Sequence, residues 1–188
     1  MSHEIEAKIK VPGLEPVAAR LKELGAEPLH EIRQVDTYFM NKLLRDNDCG
    51  LRIRQEFSSG GQTAMITFKG ARTESKYKSR PEYETPVGSG ETMKKIIESL
   101  GFTQRIQVEK NRAVWQLGPC QVCLDELPQL GSFVEVEGPD EDVISAALEK
   151  LSLHNEPHIA NGYASLLKHE LKLQSTRQPS LNRHRNCP

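Results

Sequence analysis

The chain has 188 residues, with 25 Lys plus Arg against 26 Asp plus Glu, a formal net charge of −1, and 37% hydrophobic residues. That length suits one well-buried domain and is marginal for two. The charge balance argues against a protein held to nucleic acid by phosphate contacts. No apolar run approaches the ~20 residues that span a bilayer, and the N-terminus lacks a signal-peptide apolar stretch, so a cytoplasmic protein with no membrane partner is expected.

In extended backbone, side chains alternate between faces. Glu4-Ile5-Glu6-Ala7-Lys8 therefore sets Glu4, Glu6 and Lys8 on one face, with Ile5 and Ile9 on the other. Pro12-Gly13 breaks this strand, and Val17, Leu21 and Leu24 give a helix from about Leu14 to Leu24, stopped by Gly25. A second extended run covers roughly Glu31 to Phe39, and the polar stretch Asn41 to Gly50 reads as a connection. Leu51 to Gln55 alternates with Arg52 and Arg54 together, and Ser58-Ser59-Gly60-Gly61 turns into a strand from Thr63 to Lys69. Residues 70–79 read as a mobile polar loop. Arg80, Glu82 and Glu84 share the next polar face, where Pro81 weakens the start of a strand.

The second half repeats the theme. A helix is expected from Glu91 to Leu100, a strand from about Val108 to Leu117 with Lys110 and Arg112 together, and another from Gln121 to Asp125. Phe133 to Glu137 alternates with Glu135 and Glu137 on one side. Helices follow at about Asp140 to Leu151 and Gly162 to Leu173. Three E-x-E strands, at Glu4, Glu82 and Glu135, each precede an amphipathic helix, which suggests a reused strand–helix unit and an α+β fold. The domain spans 1–173. The tail, 174–188, has too little apolar mass to offset the entropy of ordering it and reads as disordered.

Of the cysteines, Cys49, Cys120, Cys123 and Cys187, the C-x-x-C at Cys120 and Cys123 lacks a second pair. Its members sit three apart in a strand, hence on opposite faces, so reduced thiols are expected rather than a zinc or redox site.

Two architectures fit the charged faces. One is an open antiparallel sheet whose polar face meets water. The other is a closed barrel of about eight antiparallel strands with helices outside and the charges within. Segregation of arginine pairs and glutamate pairs by strand favours the second, in which charges so enclosed need counter-charges, a metal or a polyanion. Lysines and arginine forks suit phosphate oxygens, and clustered carboxylates suit Mg²⁺ or Mn²⁺. There is no G-x-x-x-x-G-K-[ST] loop, no G-x-S-x-G and no metal-histidine motif.

With these blocks in order, the chain resembles the CYTH family of triphosphate tunnel metalloenzymes, which includes class IV adenylyl cyclases, thiamine triphosphatases and inorganic triphosphatases. The resemblance rests on Glu4-x-Glu6-x-Lys8, Asp36-Thr37-Tyr38-Phe39, Leu51-Arg52-Ile53-Arg54, Thr67-Phe68-Lys69-Gly70, Lys110-x-Arg112, Asp125 and Glu135-x-Glu137. It implies a tunnel of antiparallel strands. It also implies metal ligation by Glu4, Glu6, Asp125, Glu135 and Glu137, and triphosphate binding by Lys8, Arg52, Arg54, Lys69 and Arg112, with Lys110 and Arg80 as further candidates. Tyr38 with Lys69 resembles a catalytic pair of some triphosphatase members; a core tyrosine with a bonded hydroxyl is the alternative for Tyr38. Gly162-Tyr163 stands where members often carry Ser-Tyr. The segment around His158 could close the tunnel, and neither His158 nor Lys168 receives a role.

The implied function is metal-dependent hydrolysis of inorganic, nucleoside or thiamine triphosphate. Its alternatives are a cyclase converting ATP to cyclic AMP and pyrophosphate, and a non-catalytic polyphosphate-binding module. The expected partner is a small triphosphate. Oligomeric state is open, a homodimer being one option.

Overall fold

The computed structural model describes residues 2–72 and 77–177 of the chain; the side chains at 2–4, 78–79 and 175–177 lie outside that description. Eight antiparallel strands form one curled sheet: β1 (Ser2–Val11), β2 (Glu27–Met40), β3 (Gly50–Ser58), β4 (Gly61–Lys69), β5 (Lys78–Pro86), β6 (Thr103–Leu117), β7 (Cys120–Leu127) and β8 (Gly131–Glu137). Five helices accompany them: α1 (Glu15–Glu23), α2 (Lys42–Asp46), α3 (Gly90–Ser99), α4 (Glu141–Lys150) and α5 (Tyr163–Arg177). This is the expected α+β class, and each of the three E-x-E strands does lead into a helix.

Hydrogen-bonded neighbours run β1-β5-β4-β3-β2-β6-β7-β8 and return to β1. The return is a split seam. Ser2 to Glu6 pair with β5, while Glu6 to Val11 pair with β8, so Glu6 alone in β1 has partners on both sides. Beyond Glu6 the free edge is met by a short crossing segment: Ile159 N donates to Lys8 O at 2.8 Å, and Ile9 bridges His158. His158 itself is exposed, with its ring edge-on to Tyr77 at 5.1 Å. The sheet is thus nearer a half-open barrel than the sealed tube expected from the charge pattern, because β1 is too staggered to pair fully with both neighbours.

Apolar residues explain the curl. The outward members of β1, β7 and β8, among them Ile9, Val122 and Val134, are fully buried with Leu21 of α1 and Ile144 and Leu148 of α4. On the far side Phe39 and Ile53 pack beneath Ile97 of α3. A third cluster, Val108, Leu127, Phe133, Tyr163 and Leu167, seats α5 against the sheet. With these outward faces dry, the charged side chains of the cavity, among them Lys8, Arg52, Lys110 and Glu135, face the concave side, while Arg33, Glu109 and Glu126 are exposed to solvent elsewhere.

Some boundaries differ from the sequence reading. The polar stretch after β2 holds a one-turn helix, α2, nucleated by the Asn41 side chain accepting from Leu44 N at 2.9 Å; an isolated turn this short has no apolar period to detect. β2 and β6 begin earlier than predicted, at Glu27 and Thr103, since they pair with each other along nearly their whole length. β5 runs through Pro81, whose carbonyl accepts from Gly70 N at 2.9 Å. α5 continues to Arg177, so residues 174–177 of the predicted tail are helical; the rest of that tail, like residues 73–76 of the predicted mobile loop, lies outside the described residues. Cys120 and Cys123 are buried free thiols on opposite faces of β7, and burial raises both, Cys123 to about 12. That state opposes redox or metal chemistry.

Candidate active site

The concave face encloses a cavity of about 430 Å³. Its lining includes Glu6, Lys8, Tyr38, Arg52, Arg54, Lys69, Arg80, Lys110, Arg112 and Glu135, ten of the thirteen residues singled out from sequence. Of the remaining three, Asp125 sits directly behind the lining, fully buried. Glu137 is exposed and away from the cavity, opposite Glu6 in the β1–β8 register. Glu4 pairs with Arg80 in the register, and its side chain is outside the described ones.

Two buried ion clusters shape the wall. In the first, Lys8 Nζ lies 2.9 Å from Glu135 Oε1 and 3.4 Å from Glu6 Oε1, and 4.3 Å from the centre of the Tyr163 ring. Burial alone would lower the Lys8 pKa, but the Glu135 and Glu6 carboxylates outweigh it and raise it, so Lys8 stays charged. Arg112 grips Asp125 bidentately, at 2.6 and 2.5 Å, and also reaches Glu135. Asp125 further accepts from Lys110 Nζ at 2.9 Å and from the Tyr163 hydroxyl at 2.8 Å. Lys110 lies 2% exposed; burial, helped by neighbouring Arg112, lowers its pKa to about 8 against the pull of Asp125 and Glu135.

The second cluster centres on Asp36, 2% exposed. Arg54 holds it in a fork at 2.7 and 2.8 Å, and Arg52 adds a contact at 3.3 Å. Such a fork has the geometry a phosphate would use. Tyr38 donates its hydroxyl to Asp36 Oδ2 at 3.5 Å, while Lys69 contacts Glu82 at 2.7 Å. Tyr38 and Lys69 line the same cavity through separate acidic partners. Burial and the nearby Asp36 raise the Tyr38 pKa.

Burial would raise the Asp36 pKa, yet Arg54 and Arg52 overcome it and hold the carboxyl well below its ordinary 3.8. A depressed carboxyl contributes stability that is present above the ordinary value and is lost as pH falls through the folded one. In acid below about pH 4 the unfolded chain takes up a proton here that the folded chain refuses. Asp36→Asn should therefore flatten the rise of unfolding free energy with pH in that range by up to about 1.4 kcal/mol per pH unit. Urea titrations from pH 3 to 6 measure this, and an unchanged slope would contradict it.

Asp36, Glu82 and Tyr163 escaped assignment from sequence. Asp36 shares the parity of Tyr38, so alternation within the Asp36-Thr37-Tyr38-Phe39 block was the available signal. Glu82 shares a polar strand face with Arg80 and Glu84, a pattern that by itself assigns no task. Tyr163 carried no local signal beyond its place after Gly162, because its contacts arise from α5 packing across β7 and β8.

The donors near Lys8 are carboxylate oxygens, the type Mg²⁺ and Mn²⁺ accept. Glu6 and Glu135 converge on one cationic point, now the Lys8 ammonium. Among the described residues no three His, Cys, Asp or Glu side chains are grouped to hold a metal ion. The chemistry of Glu6 and Glu135 thus fits a divalent cation, with Glu4 as the neighbouring acid on the same strand.

The CYTH domain model matches residues 2–163 of the chain. A candidate adenylate cyclase of Methanocaldococcus jannaschii is 30% identical over 142 residues, 74% of this chain and 79% of that protein. The solved PH1012 protein of Pyrococcus horikoshii OT3 superposes with a TM-score of 0.77 at 24% identity, over 87% of this chain and 98% of that one. A Hippeastrum protein, described as a candidate adenylyl cyclase with a dominant triphosphatase activity, gives 0.63 at 17% identity, over 98% of this chain and all of that one.

Proposed function

Because the chain belongs to the CYTH domain family, whose members are triphosphatases or adenylyl cyclases, we propose that it hydrolyses a triphosphate in its cationic cavity with the help of a divalent metal. The observation that carries this is charge. Among the described residues the cavity is lined by eleven lysines and arginines but four carboxylates, in a chain whose net charge is −1. Such a concentration of like charge in a concave site is matched by a compact polyanion.

Lys8, Arg52, Arg54, Lys69, Lys110 and Arg112 would each exchange a carboxylate partner for non-bridging phosphate oxygens and stabilise charge developing there. Tyr163, behind them, fixes Asp125 and through it the Arg112 fork. Tyr38 and Lys69 would orient the attacking water or hold the leaving oxygen. A cation held by Glu6 and Glu135, with Glu4, would supply further neutralisation of the phosphates.

A cyclase is the second reading, favoured by the name of the Methanocaldococcus relative. Against it, the Tyr163 ring, the aromatic face a nucleobase would need, is flanked by the ammonium groups of Lys8 and Lys110 at 4.3 and 4.8 Å. Incubation with tripolyphosphate, ATP and thiamine triphosphate, with Mg²⁺ or Mn²⁺ and then with chelator, tests both. Metal-dependent release of phosphate is expected. Cyclic AMP and pyrophosphate from ATP would establish the second reading, and no turnover of any substrate would defeat both.

A further inference from the structure

The inner and outer parts of the cavity are not charged alike. Inside, every lysine and arginine of the two clusters contacts a carboxylate within 3.4 Å, Lys8 with Glu135, Arg54 with Asp36, Lys110 and Arg112 with Asp125, Lys69 with Glu82. At the mouth, where β2 passes into α2 and β4 into the loop before β5, Arg45, Arg72, Arg80 and Arg105 line the same cavity. Among the described residues, the carboxylate in the lining there is Asp48.

Asp48 sits at a strained point. Its φ of 51° is left-handed, a conformation Asp and Asn tolerate better than other side chains. It accepts from Arg72 Nε at 2.9 Å and Nη2 at 3.2 Å, and lies 3.7 Å from Arg80 Nη2. Arg80 is the more enclosed of the two arginines, its side chain 11% exposed against 47% for Arg72. Its Nε is buried with no hydrogen-bond partner, a state that favours arrival of an acceptor. Surplus positive charge, one shared exposed counter-ion and an unsatisfied buried donor therefore coincide at the entrance.

We propose that the mouth is a second anion subsite, built on Arg80 and Arg72 and masked by Asp48, which takes phosphoryl groups beyond the first three. The preferred substrate is then a linear inorganic polyphosphate of four or more phosphates rather than a nucleoside triphosphate. A nucleoside held at the same point would set a neutral ribose and base against charge that Asp48 offsets only in part. The inference rests on the triphosphatase reading of the inner cavity.

The test compares kcat/KM for tripolyphosphate, tetrapolyphosphate, a chain of about fifteen phosphates and ATP at fixed ionic strength. Exposed ion pairs contribute no more than about fivefold each, so a gain of about tenfold from three to four or more phosphates is expected. Arg72→Gln combined with Arg105→Gln should remove that gain while leaving tripolyphosphate turnover within about twofold. Asp48→Asn, which keeps side-chain volume and tolerates the left-handed backbone, should enlarge the gain. Length-independent kinetics, a preference for ATP, or equal losses on short and long chains in the arginine variant would each overturn the subsite. Should tripolyphosphate itself not be cleaved, the triphosphatase reading fails separately. Calorimetric affinities for tri- and tetrapolyphosphate then decide the subsite: tighter binding of the longer chain upholds it, equal binding overturns it.

Discussion

Replacing Lys8 by methionine should cut triphosphate turnover by about 10²- to 10³-fold, the scale seen when one preorganised charge is removed from a water-poor site. Lys8 is 2% exposed and is held by Glu6 and Glu135, whose carboxylates raise its pKa against burial and so favour the charged form. Methionine retains most of the volume and the contact with Tyr163, so the loss reports charge rather than packing. It also leaves Glu6 and Glu135 without the cation on which both converge. If those carboxylates form the metal site, Mn²⁺ should raise the melting temperature of Lys8→Met by more than it raises that of the parent protein. Turnover within about threefold of the parent would remove Lys8 from the site, and an unchanged response to Mn²⁺ would remove Glu6 and Glu135 as metal ligands.

Asp125→Asn should be the most destabilising substitution in the cavity wall. The carboxylate is 0% exposed and accepts from Lys110, from both arms of Arg112 and from Tyr163. An asparagine amide offers one acceptor in place of two charged oxygens, and it leaves two buried cations short of a counter-charge. Breaking a buried pair from one side costs about 3–5 kcal/mol, which in a domain of this size lowers the melting temperature by about 10 °C. Lys110 has a partial escape: burial already lowers its pKa to about 8 against the pull of Asp125, and removing that pull lowers it further. The deficit should therefore narrow as pH rises toward 8 and the unpaired Lys110 sheds its proton. The adjacent and exposed Glu126 provides the control: Glu126→Gln should change stability by less than about 0.5 kcal/mol. A drop of under about 2 °C for Asp125→Asn would show that the cluster is not the keystone its contacts suggest.

These two residues illustrate how unevenly the site could be read. Glu6 and Lys8 were legible because strand parity is local: side chains two apart share a face whatever the rest of the chain does. The same parity correctly separated Cys120 from Cys123 and grouped Lys110 with Arg112. Asp125 and Glu135 were assigned through resemblance, and their contacts with Arg112 and Lys8 follow from the β6–β7–β8–β1 register. The β8–β1 part of that register joins segments more than a hundred residues apart, as between Lys8 and Glu135, whereas Arg112 and Asp125 are partners across the β6–β7 hairpin. Glu137, identical to Glu135 in parity, falls outside the cavity because β8 ends there and its partner Glu6 marks the split in the seam. Parity cannot distinguish the middle of a strand from its rim.

The sequence by itself determined the strand faces and the helices that follow them, and it raised the expectation of a polyanion. Those follow from periodicity and from the cost of enclosing charge without counter-charge. Only the tertiary structure decided which acid answers which base, that Asp36 fills the Arg54 fork, and that Tyr163 enters from α5 to fix Asp125. It also separated a matched interior from a mouth whose arginines share Asp48. The physical reason is common to all of these. Coulomb and hydrogen-bond energies depend on distances across the curled sheet, and strand stagger sets those distances. Residue spacing along the chain does not carry them.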